Sequence, residues 1–496
     1  MKALFENVHL NIFGKFLLVL SASMAVPLAI SLAWDQPDVP AFAYSILFIT
    51  LLGGGLAFLF KTGEKELSIR DGYVLVGLIW LGAGLLGALP FYFSGSVPTY
   101  IDAVFETVSG FTTTGATVFA VIEDKPLGIL FWRSLTHWLG GMGIIVLSVA
   151  FLPRLGAGAM QLFRAEVPGP SAERLMPRIK ETARVLWLLY AALTAVLVLA
   201  LLLAGMNWFD AVTHAFSTLG TGGFSSKNLS VAAFASPWID VILTLFMIAA
   251  GANFTLYYYL YNRRWSLIWE DRELRFYLAV VAGAGLLITL NLLFDEVYTS
   301  VWESLHQSFF QVASLVTTTG FSTADFNKWP PLSQGILITL EFFGGSAGST
   351  AGALKMIRVL IMLKFIGREF YRLIHPKIVR PVRMGNRVIP EEMLDSIAGF
   401  TLLYFLVFLL AGLAVSAMGV DLLSAFTGSA ATLGNVGPGL NLLGPLGNFG
   451  FLPAGAKIVY ILCMLLGRLE LFTFILFLLY PFTGLSNLLK SRRQLR

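Results

Sequence analysis

The sequence predicts an all-α polytopic membrane protein, in which two leading transmembrane helices precede four repeats around a pseudo-fourfold axis. Three observations indicate this fold class: the composition, the spacing of uncharged stretches, and a glycine-rich motif that recurs four times. Of 496 residues, 57% are hydrophobic and 13% are charged, whereas soluble proteins carry about 25% charged residues. Mean hydropathy is +0.77. This composition excludes a disordered chain, a secreted disulfide scaffold and an ordinary cytosolic enzyme.

Several segments of the chain are candidates for membrane-spanning helices. A spanning helix needs about 20 apolar residues. The stretches free of Asp, Glu, Lys and Arg that reach or approach this length are Phe16–Trp34, Ala41–Phe60, Gly72–Ile101, Ser134–Leu152, Val185–Phe209, Val241–Asn262, Phe276–Phe294 and Ser396–Val420. Two further apolar segments, Pro331–Leu363 and Ile458–Leu489, are interrupted by charged residues. The sequence therefore predicts about ten spans.

Lysine and arginine concentrate in alternate connecting segments. The base-rich segments are 61–70, 154–184, 263–275, 364–387 and the tail 490–496. Because cytoplasmic loops carry the excess of Lys and Arg, we expect these segments and both termini in the cytoplasm. The net charge of +5 then reflects topology, and no nucleic-acid partner is expected. The alternative is that the basic loops bind a regulatory partner.

The four outward segments share one motif in one register. They read FETVSGFTTTGATVF (105–119), THAFSTLGTGGFSSK (213–227), FQVASLVTTTGFSTA (310–324) and TGSAATLGNVGPGL (427–440). Aligning Gly115, Gly223, Gly320 and Gly437 places Thr113, Thr221, Thr318 and Asn435 two positions earlier. Each motif contains an apolar stretch too short to cross a membrane. Each unit is therefore predicted to be a span, a short helix, a glycine turn and a second span.

This register divides the chain into five segments. Residues 1–70 are the two leading transmembrane helices. The first to fourth repeats are residues 71–184, 185–272, 273–390 and 391–496. A unit of about a hundred residues is far longer than the units of solenoid proteins.

Glycine-rich turns of this kind suit a lining of backbone carbonyls. Non-helical backbone in a membrane is tolerated where it lines a water-filled cavity or is buried in protein. Rings of carbonyl oxygens replace the hydration shell of a cation, and the negative ends of helix dipoles favour a cation. Asp102 and Asp210 are expected to cap the starts of the first two short helices. The alternative is that these glycines only allow close helix packing.

The motifs TTTGAT, TGGFS, TTTGFS and NVGPG together resemble the Trk/Ktr/HKT superfamily of cation transporters, most closely its bacterial TrkH-type potassium uptake subunits. The resemblance covers the repeats over residues 71–496, and the leading spans are similar too. It implies four span–pore helix–span repeats in which three residues of each turn supply the carbonyls of a selectivity filter. These residues are Thr113, Thr114, Gly115, Thr221, Gly222, Gly223, Thr318, Thr319, Gly320, Asn435, Val436 and Gly437.

The resemblance also bears on ion selectivity. Plant relatives with a sodium preference carry serine in the first filter, where this sequence has Gly115. Potassium uptake is therefore implied. The fourth filter departs from the Thr-x-Gly pattern with Asn435 and Val436. The alternative is a sodium-coupled or less selective potassium and sodium transporter of the same superfamily.

The segment FFGGSAGSTAGALK within Pro331–Leu363 is predicted to unwind, because glycine is unfavourable inside helices. Its small residues are Gly344, Gly345, Ser346, Gly348, Ser349 and Gly352. The resemblance implies that they form a gating loop beneath the filter and that Arg468 limits flow there. The alternatives are glycine-mediated packing and an ion pair between Arg468 and Glu470. Lys355 and Arg358 are expected to reach the cytoplasmic edge by snorkelling.

Partners and location follow from the resemblance as well. It implies a homodimer, a cytoplasmic TrkA-type nucleotide-binding regulatory subunit, and the lipid of a bacterial inner membrane, with potassium as the substrate and no covalent cofactor. His137, His214 and His306 lack the spacing of a metal site, and the sequence has no Walker or GxSxG motif. An enzyme is therefore not predicted. Two other classes of function are the alternatives to a cation-conducting subunit. They are an intramembrane enzyme and a secondary transporter with two inverted halves.

Overall fold

The computed structural model describes residues 7–61, 69–143, 179–376, 378, 380–385 and 387–478. Nearly all regular structure in these ranges is α-helical, and the strands are two residues long each. Some predicted features lie outside the described residues. They are Lys65, the basic residues at 154–178 and 490–496, and the ends of the candidate spans Ser134–Leu152 and Ile458–Leu489.

Two leading helical segments precede the repeats. Helices α1 (Asn7–Ser23) and α2 (Ala25–Ala33) follow one another directly, and α3 (Val39–Leu59) returns beside them. A β-carbon on Gly14 would overlap the backbone of α3, so a small residue allows the close approach. Asn11 Nδ2 donates to the Ala57 carbonyl over 2.8 Å, which satisfies a polar group within this apolar contact.

Each repeat runs from a long helix through a short helix to a second helix. The long helices are α4 (Ile69–Leu86, followed by α5, Leu89–Phe93), α8 (Ile179–Leu203), α13 (Arg272–Phe294) and α17 (Glu391–Ser416). The short helices are α6 (Tyr100–Phe111), α9 (Trp208–Leu219), α14 (Val301–Val316) and α18 (Leu422–Leu433). The second helices begin as α7 (Leu127–Gly141), α10 (Pro237–Ala250), α15 (Pro331–Glu341) and α19 (Ala454–Arg468).

The remaining elements continue or connect the second helices. They are α11 (Phe254–Tyr261), α12 (Trp265–Trp269), α16 (Met356–Ile374), a helical stretch over 471–478, and short 3-10 turns at Ser230–Phe234, Phe326–Lys328 and Asn441–Leu443. Strand β1 (Phe343–Gly344) pairs in parallel with β2 (Leu354–Lys355). Strand β3 (Arg383–Met384) pairs antiparallel with β4 (Arg387–Val388).

Six described helical segments are long and apolar enough to cross a membrane, or seven if one bent pair is counted as a span. The six are Asn7–Ala33, Val39–Leu59, Asp71–Phe93, Arg184–Leu203, Arg272–Phe294 and Glu391–Ser416. Four of the ten predicted spans are not among these six. Two of them, Ser134–Leu152 and Ile458–Leu489, extend beyond the described residues, and the other two are interrupted second helices. Helices α10 and α11 meet at 95°, inside the stretch predicted as one span over Val241–Asn262. Composition shows how long an apolar stretch is, but not where its helix breaks.

The apolar core surrounds the short helices. Helix α6 buries Ala103, Phe105, Val108 and Phe111 against the helices around it. The long helices instead expose large apolar side chains, such as Phe58 and Leu203, to the outside. Exposed apolar surface of this extent suits lipid as the solvent. The short helices and the turns that follow them are therefore held in the protein interior.

Candidate functional site

The four short helices end in the same backbone turn. The residue two positions before each aligned glycine is left-handed, with φ of 55° at Thr113, 53° at Thr221, 56° at Thr318 and 53° at Asn435. The aligned glycines also have positive φ, 83° at Gly115, 78° at Gly223, 81° at Gly320 and 107° at Gly437. A β-branched residue with positive φ is a steric outlier. Three threonines in this state show that the surrounding structure imposes the turn.

Two backbone hydrogen bonds close each turn onto its helix. In the first repeat, Thr114 N donates to the Ser109 carbonyl over 2.8 Å and Thr113 N donates to the Gly110 carbonyl over 3.0 Å. The bond from Thr114 N has an equivalent in each of the other repeats. There the backbone nitrogens of Gly222, Thr319 and Val436 each donate over 2.8 Å to the carbonyl five residues earlier. This is the Schellman arrangement, which satisfies the last carbonyls of a helix and ends it. The same local hydrogen-bond pattern therefore ends all four short helices at equivalent residues.

The four turns contact one another in a closed ring. A β-carbon added to any of the four glycines would overlap the carbonyl oxygen of the residue that precedes the glycine of the next repeat. In order, these glycine–oxygen pairs are Gly115–Gly222, Gly223–Thr319, Gly320–Val436 and Gly437–Thr114. Only a residue without a side chain fits this close approach of backbone to backbone. The residues proposed from the sequence as filter residues are thus brought together in the cyclic order of the repeats.

A cavity lies at each end of this region. One, of about 110 Å³, is lined by the four glycines and by residues that follow them in the chain. The other, of about 1080 Å³, is lined by the glycine-rich segment of the third repeat, by Arg468 and by Glu470. The ring of turns therefore has open space on the side where the chain leaves the turns, and a larger space lies at the broken ends of the second helices.

The predicted capping role of Asp102 and Asp210 is wrong by three positions. The N-cap residues are Thr99 and Asn207, whose side chains accept from the backbone nitrogens of Asp102 and Asp210 over 3.2 and 2.9 Å. Thr99 Oγ1 also donates to the Asp102 carboxylate over 2.7 Å. The acidic residues thus stand in the first turn, where their carboxylates accept hydrogen bonds from the capping side chains. Sequence reasoning chose the carboxylates, although Thr and Asn cap helices as well.

The glycine-rich segment of the third repeat is non-helical over residues 342–355, here called the intramembrane loop. The two ends of the loop are joined by the parallel pairing of β1 with β2, in which Phe343 pairs with Leu354 and Gly344 with Lys355. Gly352 N donates to Thr318 Oγ1 over 2.7 Å, which connects the loop to the glycine turn of the third repeat. Ser346 N donates to the Gly251 carbonyl over 2.8 Å at the break between α10 and α11. The loop therefore lies against the turns and is anchored to a neighbouring repeat.

Glu273, a residue that sequence reasoning missed, binds the interior of this loop and the start of α16, the helix that follows it. Its Oε1 accepts from Ala347 N over 2.6 Å and from Ile357 N over 3.1 Å. The carboxylate is buried, and a buried carboxylate is stabilised by backbone N–H donors of this kind. The available signal was an acidic residue at the start of a long apolar helix. The sequence could not show that its partners lie 74 and 84 residues away.

Arg468 bridges the loop and the first repeat. Its Nη1 donates to the Thr350 carbonyl over 2.8 Å, and its Nη2 donates to the carbonyls of Gly140 and Gly141 over 2.6 and 3.2 Å. The alternative ion pair with Glu470 is not formed, because Glu470 accepts from Arg358 Nη2 over 2.6 Å. Arg468 therefore connects the loop to the end of α7 across the larger of the two cavities.

The snorkelling expected for Lys355 and Arg358 is wrong. Lys355 is buried and its Nζ donates to the Ala351 carbonyl within the loop. Arg358 pairs with Glu470 and lies over the Phe400 ring, 4.2 Å from its centroid. Both cations find partners inside the protein, so neither needs to extend to the membrane edge.

The histidines serve as packing and hydrogen-bonding residues. His137 stacks on Phe224 with ring centroids 4.0 Å apart, and His306 lies 3.4 Å from the Asp240 carboxylate. Across the described part of the chain, no group of three or more His, Cys, Asp or Glu side chains is placed to hold a metal ion.

Comparison with known proteins gives concordant matches over nearly the whole chain. Residues 39–481 match the TrkH family, described as "Cation transport protein". The "Trk system potassium uptake protein TrkH" of Escherichia coli (strain K12) is 43% identical over 466 residues, covering 93% of this chain and 96% of that protein. The protein of the same name from Vibrio parahaemolyticus is 40% identical over 475 residues, covering 95% and 97%.

A solved structure has the same fold. It is the "Crystal Structure of the Potassium Transporter TrkH from Vibrio parahaemolyticus", which superposes with a TM-score of 0.85 at 38% identity. The match covers 95% of this chain and 97% of that one. The similarity therefore includes the leading helices as well as the repeats.

Proposed function

The chain belongs to the TrkH family of cation transport proteins, and from this we propose that it takes up potassium across the membrane. It is a multi-pass membrane transporter and not an enzyme. The observation that carries the proposal is the closed ring of four glycine turns, with a cavity on its outward side. The names of its relatives favour potassium over the less selective alternative.

We propose that the carbonyls of these turns form the selectivity filter. The residues are Thr113, Thr114 and Gly115, then Thr221, Gly222 and Gly223, then Thr318, Thr319 and Gly320, then Asn435, Val436 and Gly437. Support comes from the positive φ of the first and third residues in all four turns and from the helix ends that precede them, since C-terminal helix ends favour cations. Rings of carbonyl oxygens would replace the hydration shell of the ion.

The gate in this proposal is the intramembrane loop together with Arg468. Its residues Gly344, Gly345, Ser346, Gly348, Ser349 and Gly352 allow the chain to leave the helical conformation. The hydrogen bond from Gly352 N to Thr318 Oγ1 and the Arg468 bridge to Thr350 support a closed position in which the loop is bonded to the third turn and to the fourth repeat. Loops of this kind open and close on the microsecond-to-millisecond timescale.

The proposal extends to assembly and location. The five segments predicted from the sequence are the domains, with a homodimer in a bacterial inner membrane and both termini in the cytoplasm. The printed name "Trk system" supports association with other components, and we propose a cytoplasmic TrkA-type nucleotide-binding regulator. Support for sidedness comes from Arg263, Arg264, Arg272 and Arg275, which are exposed where the second repeat passes into the third.

The experiment that tests the filter compares rubidium and sodium flux into liposomes for the unmodified protein and Gly115→Ser. Because a β-carbon at Gly115 overlaps the Gly222 carbonyl oxygen, that carbonyl must move, and we expect relative sodium entry to rise roughly tenfold, the effect of about one lost ion contact. The matched control is Gly419→Ser, which has a similar φ of 89° but meets nothing within 4 Å. An unchanged ion preference in Gly115→Ser would contradict the filter assignment.

A further inference from the structure

The chain leaving each filter turn is held by a polar side chain from the middle of its short helix. In the first three repeats this side chain stands nine positions before the aligned glycine, at Glu106, His214 and Gln311. In the fourth repeat that position is Gly428, and Thr427 beside it takes the role. The bonds reach residues two to four positions after the glycine, so each one spans its filter turn like a brace.

The brace of the first repeat is the most extensive. Glu106 accepts from Val118 N over 2.8 Å and from Thr117 Oγ1 over 2.9 Å. It also accepts from Arg133 Nε over 2.5 Å. Neither oxygen is left without a donor, which is the condition for burying a carboxylate. The outer end of the first turn is therefore fixed to the centre of its own helix.

Neutral side chains brace the other turns. His214 Nδ1 lies 2.8 Å from the Asp210 carbonyl, to which it donates, and Nε2 is then the acceptor for the Ser225 hydroxyl at 2.9 Å. The Gln311 amide lies 2.9 Å from Thr323 N.

The fourth brace is a single hydrogen bond to the backbone. Thr427 Oγ1 accepts from Leu440 N over 3.0 Å. A single hydroxyl supplies it, whereas the first brace has a carboxylate with several donors. The first three braces thus share one position, the fourth stands one residue earlier, and the first has the most bonds.

Arg133 extends the first brace to the second repeat. Its Nη1 donates to the Ser225 carbonyl over 2.8 Å, and its guanidinium lies 3.6 Å from the centroid of the Phe224 ring. Phe224 directly follows the second filter glycine. The side chain is 2% exposed and Glu106 is 0% exposed. One buried ion pair therefore connects the outer ends of two filter turns.

We propose that Glu106 and Arg133 are positioning residues for selectivity, which hold the first and second filter turns at the separation that suits potassium over sodium. The inference rests on the proposed function. A smaller ion is accommodated only if carbonyls move inward, and a brace on the outward chain opposes that movement. Neither side chain touches the ion in this account. Each acts through the backbone that follows the filter.

The test measures rubidium and sodium uptake into liposomes for variants that weaken the brace in different ways. Arg133→Lys keeps the charge but has one nitrogen in place of the two that contact Glu106 and Ser225. The double variant Glu106→Gln with Arg133→Met removes both charges and leaves no unpaired ion. Phe224→Leu is milder, since it removes only the ring under the guanidinium. We expect the ratio of sodium to rubidium entry to rise roughly tenfold in the first two and about threefold in the third.

The matched control is a second buried ion pair. Lys457 Nζ lies 2.5 Å from the Asp102 carboxylate at the start of the same short helix. It donates to the Gly450 carbonyl, well beyond the fourth filter glycine in the chain, and to none of the residues two to four positions after a filter glycine. Asp102→Asn with Lys457→Met is expected to lower the amount of folded protein and to keep the ion ratio. A change of ratio in this control equal to that in the brace variants would overturn the inference.

The outcomes separate the inference from the proposed function. If the unmodified protein does not favour rubidium over sodium, the proposed potassium uptake fails, and the inference falls with it. If it favours rubidium and the folded brace variants keep its ratio, the inference alone is overturned. A raised sodium ratio in the brace variants, with normal thermal unfolding of Phe224→Leu, supports the role of the pair.

Discussion

Arg468 offers the sharpest perturbation of the proposed gate. Its guanidinium donates to the Thr350 carbonyl in the loop and to the Gly140 and Gly141 carbonyls at the end of α7. Replacing Arg468 by alanine removes this bridge. It also removes a positive charge from the lining of the larger cavity. Both changes act in the same direction, because the loop loses an anchor and the cation loses a repulsive neighbour. We therefore expect rubidium flux through Arg468→Ala to rise.

The size of the increase follows from the bond to the loop. A hydrogen bond from a charged donor contributes about 1.5–3 kcal/mol, and the bond from Nη1 to Thr350 is the one by which Arg468 holds the loop. Losing it shifts the balance between closed and open loop by a factor of about 10 to 100. A loop that is closed most of the time then conducts about tenfold more, with the upper limit set by full opening.

The assay is rubidium uptake into liposomes at matched amounts of folded protein. Arg468→Lys is the informative companion variant, because it keeps the charge while its single nitrogen cannot reach both Thr350 and Gly140. If the bridge is the barrier, the lysine variant behaves like the alanine variant. If the charge alone is the barrier, the lysine variant keeps the low flux. Unchanged or lower flux in folded Arg468→Ala would refute a barrier role and leave Arg468 a structural residue.

Two further predictions concern the other anchors of the loop. Thr318→Val removes the acceptor of Gly352 N but keeps the backbone carbonyl, so we expect higher rubidium flux with an unchanged rubidium-to-sodium ratio; a changed ratio at constant flux would contradict the assignment. Glu273→Ala leaves Ala347 N and Ile357 N without their acceptor, at about 1–3 kcal/mol for each buried donor, whereas Glu273→Gln keeps an acceptor oxygen. We expect the alanine variant to unfold several degrees below the glutamine variant in a thermal scan, and equal midpoints would show that the bonds are dispensable.

The repeat made the four turns predictable, whereas the long-range partners were not. Four copies of one motif fix a register without any alignment, and the left-handed residues and glycines appear where that register puts them. Arg133 and Ser225 are 92 residues apart, and Arg468 and Thr350 are 118 residues apart. No local pattern encodes such pairs. The 95° bend between α10 and α11 was also missed, since one glycine in an apolar stretch does not reveal a break.

The four turns share a backbone conformation that suits glycine. The left-handed position two residues before each filter glycine is nevertheless occupied by threonine or asparagine. Holding a residue with a side chain there costs about 1–2 kcal/mol. At Thr318 the hydroxyl accepts from Gly352 N, and at Asn435 the amide donates to Thr114 Oγ1 and the Met464 carbonyl over 3.0 and 2.9 Å. Such bonds contribute about 0.5–1.5 kcal/mol each, which is comparable with the strain. Glycine would relieve the strain but would disconnect the third turn from the loop and the fourth from α19. Two of the four strained residues, Thr318 and Asn435, therefore connect the proposed filter to the loop and to the helix that carries Arg468.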